Sequence, residues 1–180
     1  MKIEVGRGAI VLVEGDITRL EVDAIVNAAN AALGGGGGVD GAIHRAAGPR
    51  LIEACLALPT VAPGVRCSTG EVRVTDGFDL PARHVIHGVG PIYSRHSPEE
   101  AARLLGSVHR RALEEANRLG LASIAFPAIS CGVYGYPLDE AAPIAIAAAR
   151  AALEAEGSVT KVVFALFGQP TFQAWARALA

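Results

Sequence analysis

Asn27-Ala28-Ala29-Asn30-Ala31-Ala32-Leu33-Gly34-Gly35-Gly36-Gly37-Gly38-Val39-Asp40-Gly41 is the stretch that decides how this chain folds. It is entered from Asp23-Ala24-Ile25-Val26, an apolar run that reads as a strand covered on both faces. It leaves through an acid set where a helix should begin. Five adjacent glycines are unfavourable to order, because each loses more backbone freedom on folding than any other residue. A linker would add serine and other polar residues. This run is short and lies between apolar segments, so it reads as a loop that brings bare backbone close to a ligand.

Working outward, strands alternate with helices on both sides of that loop. Ile3 to Val5 and Ile10 to Val13 read as short strands joined by the turn Gly6-Arg7-Gly8. Val39 to Ala47 reads as a helix closed by Gly48 and Pro49, with a second helical piece from Arg50 to Ala57. Glu71 to Thr75 and Arg83 to Val89 read as strands around the turn Asp76-Gly77. Ser97-Pro98-Glu99-Glu100 is a helix start with a capping serine, proline at the first position and acids near the positive dipole end. That helix runs to about Leu119 and stops at Gly120. Ser123 to Phe126 is a short strand leading into a second glycine-bearing loop, Pro127 to Tyr136. A long alanine-rich helix from Leu138 to Glu156, a strand from Lys161 to Phe167 and a helix from Thr171 to Leu179 complete the chain. The alternation predicts an α/β fold with a mostly parallel sheet between helices, mixed because of the early hairpin. The 180 residues read as a single domain, 1–180, without an internal repeat.

Composition excludes several classes. With 51% hydrophobic and 19% charged residues, disorder is not expected. A net charge of -2 supplies no basic field, so nucleic acid is not an expected partner, and an anionic ligand must be held by local N–H groups. Cys55, Cys67 and Cys131 are odd in number and unpatterned, which points to reduced thiols and a cytoplasmic setting. The start Met1-Lys2-Ile3-Glu4-Val5 lacks a signal-peptide core, and no apolar run is long enough to cross a bilayer.

Two glycine-bearing loops each follow an apolar strand and each precede a helix, the arrangement that places N–H donors around a diphosphate. Neither is a dinucleotide-binding GxGxxG nor a P-loop, so ordinary dehydrogenase and NTPase readings are weak. Asp16, after Gly15 at a strand end, is equally a helix cap or an acceptor for an amino group such as that of adenine. Asn27 and Asn30 either hold ribose hydroxyls or tie down their own loop, and the spacing does not decide. Asp40 is either a helix cap or a carboxylate that orients water beside a bound sugar, and His44 shares its helix face. Tyr134 and Phe167 stand at strand ends, where an aromatic face covers a ribose, a base or the end of the sheet. His84 and His87 face opposite sides of a strand with no acid or cysteine partner, so core packing is expected rather than a metal site. Cys131 lies between Ser130 and Gly132 without an evident His partner, and a covalent intermediate is not expected.

Several segments resemble the macrodomain family, and within it the MacroD type. They are Gly15-Asp16-Ile17-Thr18, the block from Val22 to Asn30, and the block from Gly35 to Gly48. Val89-Gly90-Pro91, Pro127-Ala128-Ile129-Ser130 and Gly132-Val133-Tyr134-Gly135-Tyr136-Pro137 continue the likeness, which covers nearly the whole chain. The resemblance implies a three-layer α/β/α sandwich around a mixed, mostly parallel six-stranded sheet, and an ADP-ribose ligand. Carried over by position, Asp16 would contact the adenine amine with Ile17 beside it, and Phe167 would face the base. Gly37, Gly38 and Val39 would wrap the diphosphate together with Ser130, Cys131, Gly132, Val133 and Tyr134, the last packing on the distal ribose. Asn30 and Asp40 would be the hydrolytic pair, with Asn27 and His44 in the ligand-binding set. The implied activity is hydrolysis of O-acetyl-ADP-ribose and of mono-ADP-ribosylated acidic side chains, with neither cofactor nor metal. A reader module that binds ADP-ribose without turnover is the alternative. Gly88 and Cys131 stand where that branch often has threonine.

Overall fold

The computed structural model describes all 180 residues. Seven strands form one sheet: β1 (Lys2–Val5), β2 (Gly8–Glu14), β3 (Ala24–Ala28), β4 (Val72–Asp76), β5 (His84–Gly88), β6 (Ser123–Phe126) and β7 (Lys161–Leu166). Their order is β1-β2-β7-β6-β3-β5-β4. The five central strands run parallel, while β1 and β4 join as antiparallel edges. The expected α/β sandwich is therefore present, with seven strands where the family pattern implies six. All seven strand-like segments enter the sheet because the two residues Gly6 and Arg7 fold β1 directly back on β2. Gly6 makes that turn at φ +52°, and a Cβ there would lie 2.3 Å from the Leu153 carbonyl oxygen, so only glycine fits.

Helices α1 (Gly38–Ala47) and α2 (Pro49–Leu56) cover one face of the sheet; α3 (Pro98–Arg118), α4 (Leu138–Glu154) and α5 (Gln169–Leu179) cover the other. Strand alternation sorts the core accordingly. In β7, Val162, Phe164 and Leu166 face α3, α4 and α5, while Val163 and Ala165 face α1 and α2. In β3, Ala24 and Val26 take the first side and Ile25 the second. Trp175 on α5 is buried in that core. Gly88 belongs to the α3 side: a Cβ there would meet the Val108 side chain at 2.7 Å. The departure at Gly88 is thus a packing exchange beneath α3.

The strand β3 runs two residues past its expected end and takes in Asn27. The parallel strands β2, β3, β6 and β7 release their chains at the same sheet end. Asp16, the glycine run, the Ser130 loop and Phe167 leave from there, where open α/β sheets bind ligands.

Buried His109 is one source of acid sensitivity in the fold. His109 of α3 is 1% exposed, stacks on Phe126 at 5.2 Å between ring centres and hydrogen-bonds through Nδ1 to the Leu105 carbonyl. Burial pushes its pKa from 6.5 down to about 4. Below pH 6.5 the unfolded chain therefore binds a proton that the folded chain refuses. The stabilisation is present above 6.5 and is lost as pH falls toward 4. His109→Phe is expected to remove on the order of 2 kcal/mol of the stability difference between about pH 7 and pH 5, measured by urea unfolding. An unchanged difference would reject this source of acid sensitivity.

Candidate functional site

Two loops at that sheet end carry free backbone donors. After β3, Leu33 turns at φ +55°, Gly35 at +81° and Gly38 at +57°. Helix α1 then begins with no side-chain cap, since Gly37 occupies the cap position. The N–H groups of Gly35 through Asp40 find no acceptor within the protein. After β6, the N–H groups of Ser130, Gly132, Val133 and Tyr134 are likewise unpaired, although the loop is braced by bonds from Cys131, Gly135 and Tyr136 N–H. Ser130 takes the left-handed conformation at φ +66°, and its buried hydroxyl has no partner. Unpaired donors carried by two loops and one helix N-terminus at the same sheet end suit an anion.

The glycine run lies close over α1. A Cβ at Gly41 would sit 2.7 Å from the Gly36 carbonyl oxygen, so the helix must be bare there. Asn30 ties the run down. Its Nδ2 donates to the Gly35 carbonyl at 3.0 Å, and its Oδ1 accepts from Gly34 N–H at 3.4 Å. The loop-tying reading of this asparagine is therefore realised for Asn30.

Asn27 is placed differently. It is fully buried, and its Nδ2 donates to Asp40 Oδ1 at 2.9 Å and contacts His87 Nδ1 at 3.1 Å. Asp40 is 6% exposed in the first turn of α1, where the helix dipole favours an acid. His44, one turn on, brings Nε2 to 3.3 Å from the same Asp40 oxygen. Asp40 Oδ2 carries no hydrogen bond within the protein and faces Gly36, where a Cβ would come within 3.3 Å. One oxygen of Asp40 is thus held from inside and the other is presented to the glycine run.

Asp16 caps a 3-10 turn (Ile17–Arg19), and its Oδ1 accepts from both the N–H and the hydroxyl of Thr18. Those two bonds, led by the hydroxyl, hold its carboxyl below the usual range. Its Oδ2 meets only Arg19, at 3.7 Å. Ile17 beside it is buried in the core. Phe167 is 86% exposed at the end of β7, next to the strand that leads to Asp16, and Val133 is fully exposed. Tyr134 is half-buried, and its carbonyl accepts from Tyr93 N–H. Burial pushes the Cys131 thiol up to about 12, which leaves it protonated and a poor nucleophile.

The sequence reading missed what lies behind Asp40. His87, expected in the core, is there, but bonded to Asn27 and, through Nε2, to Thr75 Oγ1 at 2.9 Å. The available signal was parity: Asn27 and His87 are register partners on adjacent strands. On the α1–α2 side of the glycine run opens a groove of about 390 Å³, lined by Gly34, Gly35, His44, Arg45, Pro49 and Ile52 among others. No residue of the Ser130 loop lines it. No group of three or more His, Cys, Asp or Glu side chains is arranged to hold a metal ion. No helix is long and apolar enough to cross a membrane.

The chain and its fold have known relatives. The Macro domain family model matches residues 26–145. A macro domain-containing protein of Xanthomonas axonopodis pv. citri is 55% identical over 169 residues, covering 93% of each chain. The Oceanobacillus iheyensis macrodomain, solved with ADP, is 43% identical with a TM-score of 0.93, covering 99% of this chain and 94% of that one. The Trypanosoma brucei macrodomain, solved in complex with ADP-ribose, is 42% identical with a TM-score of 0.84, covering 95% of this chain and 69% of that one. The chain belongs to the macro domain family.

Asn30→Ala is expected to free the run it anchors. Amide hydrogen exchange of Gly34, whose N–H donates to Asn30 Oδ1, should quicken, with α1 beyond Gly41 unchanged and a stability loss of about 1 kcal/mol. Unaltered exchange at Gly34 would refute the anchoring role.

Proposed function

We propose that this macrodomain binds ADP-ribose and hydrolyses its esters, both O-acetyl-ADP-ribose and acidic side chains carrying mono-ADP-ribose. The observation that carries this reading is Asp40, with Oδ1 held by Asn27 and Oδ2 turned to the glycine run. A general base needs a free lone pair at the reacting centre and a fixed position, and that division of the two oxygens supplies both.

In this reading the unpaired N–H groups of Gly37, Gly38 and Val39 grip the diphosphate from one side. Those of Ser130, Gly132, Val133 and Tyr134 grip it from the other, with Cys131 as loop backbone. Asp16 Oδ2 accepts from the adenine amine, and Phe167 covers the base. Tyr134 packs on the distal ribose, and Asn30 holds a ribose hydroxyl through the second proton of Nδ2. Asp40 Oδ2 orients or deprotonates a water, alone or with the substrate's own phosphate, and His44 steadies the carboxyl through Oδ1. Fixing the ribose beside that water supplies much of the rate by proximity. The relatives solved with ADP and with ADP-ribose support the choice of ligand.

The experiment compares wild type and Asp40→Ala on O-acetyl-ADP-ribose and on an acid-linked, auto-modified protein. Wild type should release product, and Asp40→Ala should be slower by about 10²-fold or more with ADP-ribose still bound. Tight binding with no release by wild type would leave a reader module, and unchanged release by Asp40→Ala would remove Asp40 from the mechanism. Water labelled with oxygen-18 distinguishes attack at the anomeric carbon, which labels the ribose, from attack at the ester carbonyl. Separately, Asp16→Ala should weaken ADP-ribose binding by about 1–3 kcal/mol in calorimetry. An unchanged affinity would reject the adenine contact.

A further inference from the structure

Three adjacent strands, β3, β5 and β4, carry Asn27, His87 and Thr75 toward the α1–α2 face. Asn27 and His87 are direct register partners, and Thr75 lies two residues along β4 from the partner of His87. The three side chains form a row that ends on Asp40. All three are buried, Asn27 at 0%, His87 at 1% and Thr75 at 9% exposure.

The proton on every atom of this row is determined by donor chemistry. Asp40 Oδ1 is an acceptor, so the Asn27 atom facing it at 2.9 Å is the amide nitrogen, not the oxygen. That nitrogen only donates, so His87 Nδ1, 3.1 Å away, must accept. The ring proton of neutral His87 therefore sits on Nε2 and is donated to Thr75 Oγ1 at 2.9 Å. Thr75 Oγ1 can accept it because its own proton goes to the Asp76 carbonyl at 3.1 Å. The chain runs one way, with both Asn27 Nδ2 protons assigned, one to His87 and one to Asp40.

We propose that His87, with Thr75 behind it, is a positioning residue: it clamps the Asn27 amide so that Asp40 Oδ1 is gripped from the interior and Oδ2 is aimed at the ligand. This rests on the reading of Asp40 as the acid that orients water. Neither His87 nor Thr75 touches substrate in it. Asn27 sets the tautomer by donating to Nδ1, and Thr75 Oγ1 accepts the Nε2 proton that this leaves. The other tautomer would set N–H against N–H. Burial, with His44 a smaller contributor, pushes the His87 pKa from 6.5 down to about 3, so the row keeps this protonation at neutral pH. Cys55 Sγ at 3.6 Å from Nε2 closes the far side, its thiol raised to about 11 and hence neutral.

The test has an arm that does not depend on catalysis. In nitrogen-15 NMR of the wild-type chain, His87 should show the Nε2–H tautomer, with no titration between about pH 5 and pH 8. The Nδ1–H form, or titration in that range, would overturn the proposal. In kinetics, His87→Leu should lower kcat for release by about 10–100-fold while ADP-ribose affinity stays within about twofold. His87→Asn, whose Oδ1 takes the place of Nδ1, should recover most of that loss. Equal turnover in His87→Leu and wild type would overturn the proposal, as would an equal loss in His87→Asn and His87→Leu with both proteins folded by circular dichroism. If wild type releases nothing, the hydrolase reading falls and NMR decides alone. The Nε2–H tautomer with slowly exchanging Asn27 side-chain protons then upholds the clamp, and its absence rejects it.

Discussion

A carboxyl group withdrawn from water must find donors, and Asp40 is the point at which this molecule meets that demand. Asp40 is held by the first turn of α1, by the Asn27 amide from the sheet and by His44 from one turn along the helix. Each supplier imposes a condition on the fold around it. The helix start must be free of a capping side chain, which Gly37 provides. The sheet must place Asn27 opposite His87, which the β3–β5 register provides. The loop over the helix must come close, and Gly36 and Gly41 meet without side chains between them. Gly36 and Gly41 serve the packing of a buried acid under exposed backbone, whereas Gly35 and Gly38 serve the positive φ of the turn.

This division also explains how much was legible beforehand. The strand–helix alternation, the cap at Ser97 and the stop at Gly120 are local signals, and the elements they mark formed within a few residues of the expected ends. The sheet end that carries the loops was legible too, because it follows from parallel strand topology. Roles were not. Asn27 and Asn30 look alike in sequence, three residues apart, yet one belongs to a strand and points inward while the other braces a loop. The difference is made by two extra residues of β3, and strand ends are set by tertiary pairing rather than by local propensity. Thr75 and His87 were invisible for the same reason: their partners lie 12 and 60 residues away in the chain.

Structural and functional readings of one side chain are usually set against each other, but here geometry lets them coexist. Asp16 was equally a cap or a ligand acceptor, and it is a cap through Oδ1 alone, leaving Oδ2 with only a distant Arg19. Asp40 repeats the pattern, Oδ1 inward and Oδ2 outward. In each case the structural bonds fix the carboxyl in place, so in the proposed reading the second oxygen would meet the ligand with little orientational freedom left to lose. A carboxyl group with both oxygens in solvent would have to be ordered by the ligand itself. Asn30 is the contrasting case, since both ends of its amide already hold the glycine run. Only its second Nδ2 proton and its remaining Oδ1 lone pair are left for a ribose. Contact there is coupled to the loop: a ligand that pulls on Asn30 pulls on Gly34 and Gly35, and through them on the backbone donors beside the diphosphate. In the proposed reading, grip on the phosphates and placement of the sugar would therefore be a single mechanical unit, with Asp40 as its fixed end.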